Sequence, residues 1–291
     1  MNRPFALASA FALAAAGVSA TTASQPADLI HFSLKPQGGD ETKIRATFGG
    51  DRGGRHENVW STGFRPSELT GLEVSSFRAA GTRPLHFAIV REAGRLDCVG
   101  NGGGNLAEGN CRFTQNPAFF ELLVSSGIGR PSPEQAFGLM AVNARRDVID
   151  AVAAAHYPTP TIDNLLALSA LGVDGSYISA MARAGYRPAT LRSLVEFKAL
   201  NITPDWIAGF TRVGYANVPG NELVQLKALG VTPDFVAGFQ RLGYRELPVR
   251  QLVELKALDI TPDFVRAAVG QQAAMPPVHT LVEYKLLGKR R

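Results

Sequence analysis

The sequence predicts an α+β protein. An N-terminal antiparallel β-meander domain with one disulfide hairpin precedes a C-terminal α-solenoid of two-helix repeats. Three observations predict it. A motif returns every 29 residues, at Ile202-Thr203-Pro204-Asp205, Val231-Thr232-Pro233-Asp234 and Ile260-Thr261-Pro262-Asp263. Self-similarity at a fixed period of this length marks an array of stacked units. Upstream, short segments alternate apolar and polar residues between glycine-rich breaks, the pattern of half-buried strands. The only two cysteines, Cys98 and Cys111, flank one such break.

The chain of 291 residues divides into a signal peptide at 1–20, a β domain at 28–130 ending in a short helix, and a helical repeat domain at 131–291. Arg3 opens a short basic start, Phe5 to Val18 is apolar, and Val18-Ser19-Ala20 is a small-residue cleavage site. This is the layout of a secretory signal peptide cut after Ala20. An apolar run near 14 residues falls short of the ~20 that a membrane span needs. The expected location is the periplasm or the exterior, with no membrane span in the mature chain. In an exported protein, two close cysteines read as a disulfide. The net charge of +5 would suggest nucleic acid inside a cell; export argues against that partner.

In the β domain, Ile30, Phe32 and Leu34 share one face of a strand, as do Ile44, Ala46 and Phe48 in the next. Val59 to Phe64 is a third strand, Leu85 to Val90 a fourth, Arg95 to Val99 a fifth and Gly109 to Thr114 a sixth. Val99 to Asn105 is expected as the turn that brings the cysteines onto facing strands. Gly100 to Gly104 lacks the Gly-Lys-Ser/Thr ending of a phosphate loop and no helix pattern follows it. Asn116 and Pro117 suit a helix N-cap and first residue, and Phe119, Phe120, Leu122 and Leu123 would pack that helix on the sheet. A further helical pattern runs from Ser132 to Ala155.

Five windows fit the repeat: 144–172, 173–201, 202–230, 231–259 and 260–288. The first is divergent, and the last carries Gln272 and Ala273 where its neighbours have Gly-Tyr. Each window reads as two helices. In the third, Thr203 caps, Pro204 opens and Asp205 lies in the positive first turn. Trp206, Ile207, Phe210 and Val213 make an apolar stripe, Gly214 stops the first helix, and Gly230 stops the second. The positions equivalent to Gly230 hold Asn201 and Asp259, which tolerate a left-handed cap. Helices near ten residues are marginal alone, so they must be held by neighbours.

Two charged columns keep the period. Arg183, Arg212 and Arg241 project away from the apolar stripe. They would form either a basic ladder that reads carboxylates of an extended polypeptide or a solvated face. Lys198, Lys227 and Lys256, with Lys285, fall inside the apolar arc of the second helix, where the stem can pack while the amine reaches out. Lys198, Lys227 and Lys256 precede Asp205, Asp234 and Asp263 of the next unit by seven residues. A Lys–Asp pair locking the turn and a ligand contact are the two readings. The five histidines show no metal-ligand spacing, and there is no Gly-x-Ser-x-Gly elbow. Neither a metal nor another cofactor is expected.

The Thr-Pro-Asp-Phe-Val, Leu-Gly-Tyr and Leu-Val-x-Leu-Lys-Ala-Leu elements resemble repeats of uncharacterised exported bacterial proteins. They also resemble repeats appended to membrane zinc peptidases of the antirepressor, beta-lactam-sensor type. Phe87 to Asn116 is similar to the strand-rich module that often precedes such repeats. The resemblance covers about 80–290 and implies extracytoplasmic sensing or regulation by protein contact. It transfers no catalytic residue, because the peptidase His-Glu-x-x-His is absent. The function expected is an exported, non-catalytic module that binds a protein or an extended acidic peptide. The alternatives are a secreted hydrolase or carbohydrate-active protein with its site in the β domain, and a structural envelope protein.

Overall fold

The computed structural model describes residues 29–38, 40–52, 55–270 and 275–288. The expected signal peptide and the Gln272-Ala273 departure lie outside the described residues. Among the described residues six strands form one antiparallel sheet: β1 (Ile30–Gln37), β2 (Asp40–Arg52), β3 (Arg55–Phe64), β4 (Arg83–Arg91), β5 (Gly94–Gly103) and β6 (Leu106–Gln115). The expected alternation is present. Phe32, Leu34, Ile44, Ala46, Phe48, Leu85, Phe87 and Ile89 are buried, while His31, Lys35 and His86 are exposed.

The strand order is β3-β2-β1-β6-β5-β4, so the sheet is not the single meander that the sequence suggested. It is two three-stranded meanders joined where β1 pairs with β6. The segment after β3 carries the chain to the far edge through a 3-10 turn at Pro66–Glu68 and the short helix α1 (Val74–Arg78). Leu69 and Phe77 of this crossover are buried, and Thr70 pairs with Ala88 of β4. The β1–β6 pairing depends on a glycine. Phe32 faces Gly109, where an added Cβ would come within 2.8 Å of the Phe32 ring and 2.2 Å of the Val99 carbonyl oxygen. The Phe32 ring then meets Phe87 edge-on at 5.0 Å, a geometry aromatic pairs favour.

Cys98 lies opposite Cys111 on β5 and β6, and the two form a buried disulfide. The turn between them is tighter than expected. The strands continue through the glycines, and only Gly104 and Asn105 form the loop, with φ of 61° and 66°. Two consecutive positive φ values match the right-handed twist of the flanking strands.

Among the described residues twelve short helices follow: α2 (Pro117–Ser125), α3 (Pro133–Ala141), α4 (Arg146–Ala154), α5 (Ile162–Ala170), α6 (Gly175–Arg183), α7 (Leu191–Ala199), α8 (Pro204–Arg212), α9 (Gly220–Ala228), α10 (Pro233–Arg241), α11 (Val249–Ala257), α12 (Pro262–Val269) and α13 (Val278–Leu286). The expected caps form: Thr203, Thr232 and Thr261 each accept a hydrogen bond from the backbone N–H three residues on. Gly185, Gly214 and Gly243 end first helices at positive φ, as Asn201, Gly230 and Asp259 end second helices. The continuous pattern expected from Ser132 to Ala155 is two helices, because Asn143 turns the chain at φ 57°.

The cap bonds reveal an earlier unit. The Tyr215 N–H donates to the Phe210 carbonyl and Val231 to Leu226; three periods upstream Ile128 donates to Leu123 and Ala144 to Leu139. Residues 115–143, with α2 and α3, therefore repeat the local pattern of the five windows. Helices two apart in sequence touch: α3 with α5, α5 with α7, α9 with α11, α11 with α13, α4 with α6, and α10 with α12. Gly209 of α8 sits against Pro233 of α10, and Gly238 of α10 against Pro262 of α12, so close that an added Cβ would meet the ring at 2.8 and 2.6 Å. One apolar core runs from the sheet through these helices.

Two adjacent residues of the β4–β5 turn fasten the sheet to the helices. The Arg91 guanidinium donates to the carbonyls of Met140 (2.8 Å) and Ala141 (2.6 Å) at the end of α3, and lies over Trp60 and Phe64. Burial lowers its pKa, with Glu68 opposing the shift. The Glu92 carboxylate accepts the Arg146 N–H at the start of α4, whose N-cap residue supplies no side-chain bond. Cation at the C-terminus and anion at the N-terminus both oppose the helix dipoles favourably. Among the described residues no single helix is long and apolar enough to cross a membrane.

Candidate interaction surface on the repeats

The lysine column does not pair with the Asp of the next unit. Among the described residues Lys198, Lys227 and Lys256 make no ion pair with Asp205, Asp234 or Asp263. Each amine instead covers an aromatic ring of its own unit. Lys198 lies 4.6 Å from the centre of Tyr177, Lys227 4.9 Å from Trp206, Lys256 5.2 Å from Phe235 and Lys285 5.0 Å from Phe264. The reason is topological. Antiparallel helices place the last turn of the second beside the first turn of the first, where these rings sit. The cation gains the ring face there and meets the carbonyl end of the preceding unit, as Lys285 does at Asp259 O (2.9 Å). Asp205, Asp234 and Asp263 stay exposed in the first turns of α8, α10 and α12. Asp263 pairs with Arg266 of its own helix.

The arginine column is of a different kind. Arg183, Arg212 and Arg241 occupy the last turns of α6, α8 and α10 and are exposed. Among the described residues none of the three has a carboxylate partner. Arg212 and Arg241 fold back over their own Gly209 and Gly238, with terminal nitrogens 3.6 and 3.9 Å from where a Cβ would be. The Arg212 and Arg241 guanidinium groups thus stand where one unit meets the next, and among the described residues the planar donor forks of all three arginines are uncommitted.

Tyrosines knit the units from inside. Tyr177 donates to the Ile202 carbonyl at 2.7 Å, Tyr215 to Leu247 and Tyr244 to Pro276, each at 2.6 Å. Burial pushes the Tyr177 hydroxyl up to about 12, and nearby Tyr157 adds to the shift. Burial also raises Tyr157 to about 12, against the pull of Arg187, whose guanidinium covers its ring at 4.8 Å. Tyr215 and Tyr244 belong to the Gly-Tyr motif of the sequence, which marks the period but does not show these two bonds. The signal was present, since a phenol at a fixed offset in a buried stripe needs a partner.

A cleft of about 420 Å³ lies where sheet and helices meet, walled by Trp60, Phe137, Val142 and Leu166 with Glu134 and Asp163 beside them. It has no histidine in its lining, and among the described residues no three His, Cys, Asp or Glu side chains converge as metal ligands. Neither a protein-family model nor a curated protein matches the sequence.

Proposed function

We propose that this chain is an exported, non-catalytic protein- or peptide-binding module, serving as a scaffold or sensor component, whose helices stack as an α-solenoid. The observation that carries the reading is the exposed arginine trio at equivalent sites of successive units, each without an internal carboxylate. The solenoid rests on the contacts between helices two apart and on the glycine–proline seats between units. A repeating spacing of forked donors suits the carboxylates of an extended acidic segment. The lysines play a different part, since their amines are committed to rings. Export is supported by the apolar N-terminal stretch and by the disulfide. The resemblance to repeats of exported and membrane-sensor proteins points the same way.

The test is partner capture. Residues 21–291 are immobilised and challenged with native periplasmic extract, beside a variant carrying Arg183→Glu, Arg212→Glu and Arg241→Glu. The reading expects a protein retained by the first and lost by the second, with both folded. Equal retention by both removes the arginine column as the working surface.

A further inference from the structure

The repeats depart from their own pattern at both ends of the array, and the two departures are complementary. Near the sheet, the cleft walled by Trp60, Phe137, Val142 and Leu166 holds about 420 Å³, within the ~300–1,000 Å³ range of ligand pockets. All four wall residues are only half-buried, so part of their apolar surface is open. Phe137 of α3 and Leu166 of α5 stand where later second helices carry the smaller Val195, Val224, Val253 and Val282. The next position is Gly138 in α3 and Ala167 in α5, against Glu196, Gln225, Glu254 and Glu283 later. The long polar side chain of the later units is therefore missing beside the wall. The rim is acidic in these two units alone: Glu134 and Asp163 correspond to Arg192, Asn221, Arg250 and His279. Asp163 is exposed and accepts the Gln135 side-chain N–H at 3.0 Å, with no cationic partner among the described residues.

At the far end, α13 finishes on Leu286, where the five earlier second helices finish on Ala141, Ala170, Ala199, Ala228 and Ala257. Leu286 is 70% exposed and Leu287 68%, the highest values among the large apolar residues described. Outermost units of an array normally turn a polar face outward. Lys289, Arg290 and Arg291 follow in the sequence.

We propose that the cleft binds residues 286–291 of a second copy of this chain. Leu286 and Leu287 lie against Phe137 and Leu166, and the basic residues meet the rim at Asp163. Apolar surface faces apolar surface there, and cation faces anion. In the stacked arrangement proposed above, α3 and α13 are five helix spacings apart, about 40–50 Å. Three residues beyond Gly288 reach about 11 Å, so the segment comes from another copy. The contact is head-to-tail and does not close on itself as a symmetric dimer does. It uses none of the arginine column and does not depend on that column binding anything.

Sedimentation velocity of residues 21–291 over a concentration series tests it, beside two variants. Asp163→Lys reverses the charge of the rim. Leu286→Ala with Leu287→Ala removes the apolar pair and restores the alanine of the other units. All three positions are exposed, so both variants should keep the unfolding midpoint. The native chain is expected to gain mass with concentration, less so as salt rises. Each variant alone should associate at least about tenfold more weakly. Mixed, they should form one-to-one dimers and stop there, because the intact cleft of one accepts the intact segment of the other. A native chain that stays monomeric up to about 1 mM overturns the proposal. So does undiminished association of either folded variant, or a mixture that does not dimerise, as a symmetric interface would give. If a variant does not fold, a peptide of residues 284–291 decides. It should dissolve the native association, and the same peptide with Lys289→Glu, Arg290→Glu and Arg291→Glu should not; equal effects of the two overturn the proposal. The Arg183→Glu, Arg212→Glu, Arg241→Glu variant should associate as the native chain does, which separates failure of this contact from failure of the peptide surface.

Discussion

Replacing Phe210 by Ala tests whether the helices share one core. The ring is fully buried in α8, and Trp206 packs against it with ring centres 4.7 Å apart and planes inclined 62°. Its carbonyl also accepts the Tyr215 N–H that closes the helix. Truncating a buried Phe costs about 3–5 kcal/mol, of which the ring pair accounts for about 0.5–1.5. For a unit of roughly 150–250 residues each kcal/mol lowers the midpoint by about 2–4 °C, so a fall of about 6–20 °C is expected. Denaturant titration gives the energy, and native-state hydrogen exchange shows where it is felt. Because α8 sits against α10 through Gly209 and Pro233, protection should fall in α6 and α10 together with α8. A cost below about 1 kcal/mol would refute the buried-ring argument. Loss of protection confined to α8 would refute the shared core.

Lys227→Met should lower stability by about 0.5–1 kcal/mol through loss of the cation over Trp206. A double-mutant cycle should couple Lys227 to Trp206 and show no coupling to Asp234; coupling to Asp234 would restore the pairing read from the sequence. Tyr157 and Tyr177 give a pH prediction. Burial raises both from 10.0 to about 12, so the folded state holds these protons more tightly than the unfolded chain does. Their contribution is therefore complete below about pH 10 and lost as pH rises from there through about 12. Phenolate absorbance followed alongside unfolding should show both tyrosines ionising late. Ionisation near 10 with stability unchanged would contradict their burial.

The period made the helices legible. Thr-Pro-Asp starts, Gly-Tyr stops and the Asn201, Gly230 and Asp259 caps are local chemistry, and the chain obeys them. The alternating strands were legible for the same reason, as was the Cys98–Cys111 pair across a glycine-rich turn. The order of strands was not. Pairing β1 with β6 depends on Phe32 finding the bare backbone of Gly109, a contact between residues 77 positions apart. The unit at 115–143 escaped notice because Asn116, Gly127 and Asn143 keep its caps while the surrounding motif has changed. The lysines were placed on the correct face but given the wrong partner. Sequence distance favoured the Asp seven residues on, whereas helix pairing favoured the ring twenty-one residues back. The arginines were found by period alone, and the structure adds that they are exposed and without carboxylate partners.

The central claim is that the arginine column is a working surface, and a titration with an extended Glu-rich peptide tests it most directly. Fluorescence anisotropy would compare the native chain, the triple Arg→Glu variant and a Lys198→Met, Lys227→Met, Lys256→Met variant. The account predicts binding that weakens as salt rises, at least about tenfold loss in the arginine variant, and a smaller loss in the lysine variant. Equal affinity for the native chain and a folded arginine variant would contradict it.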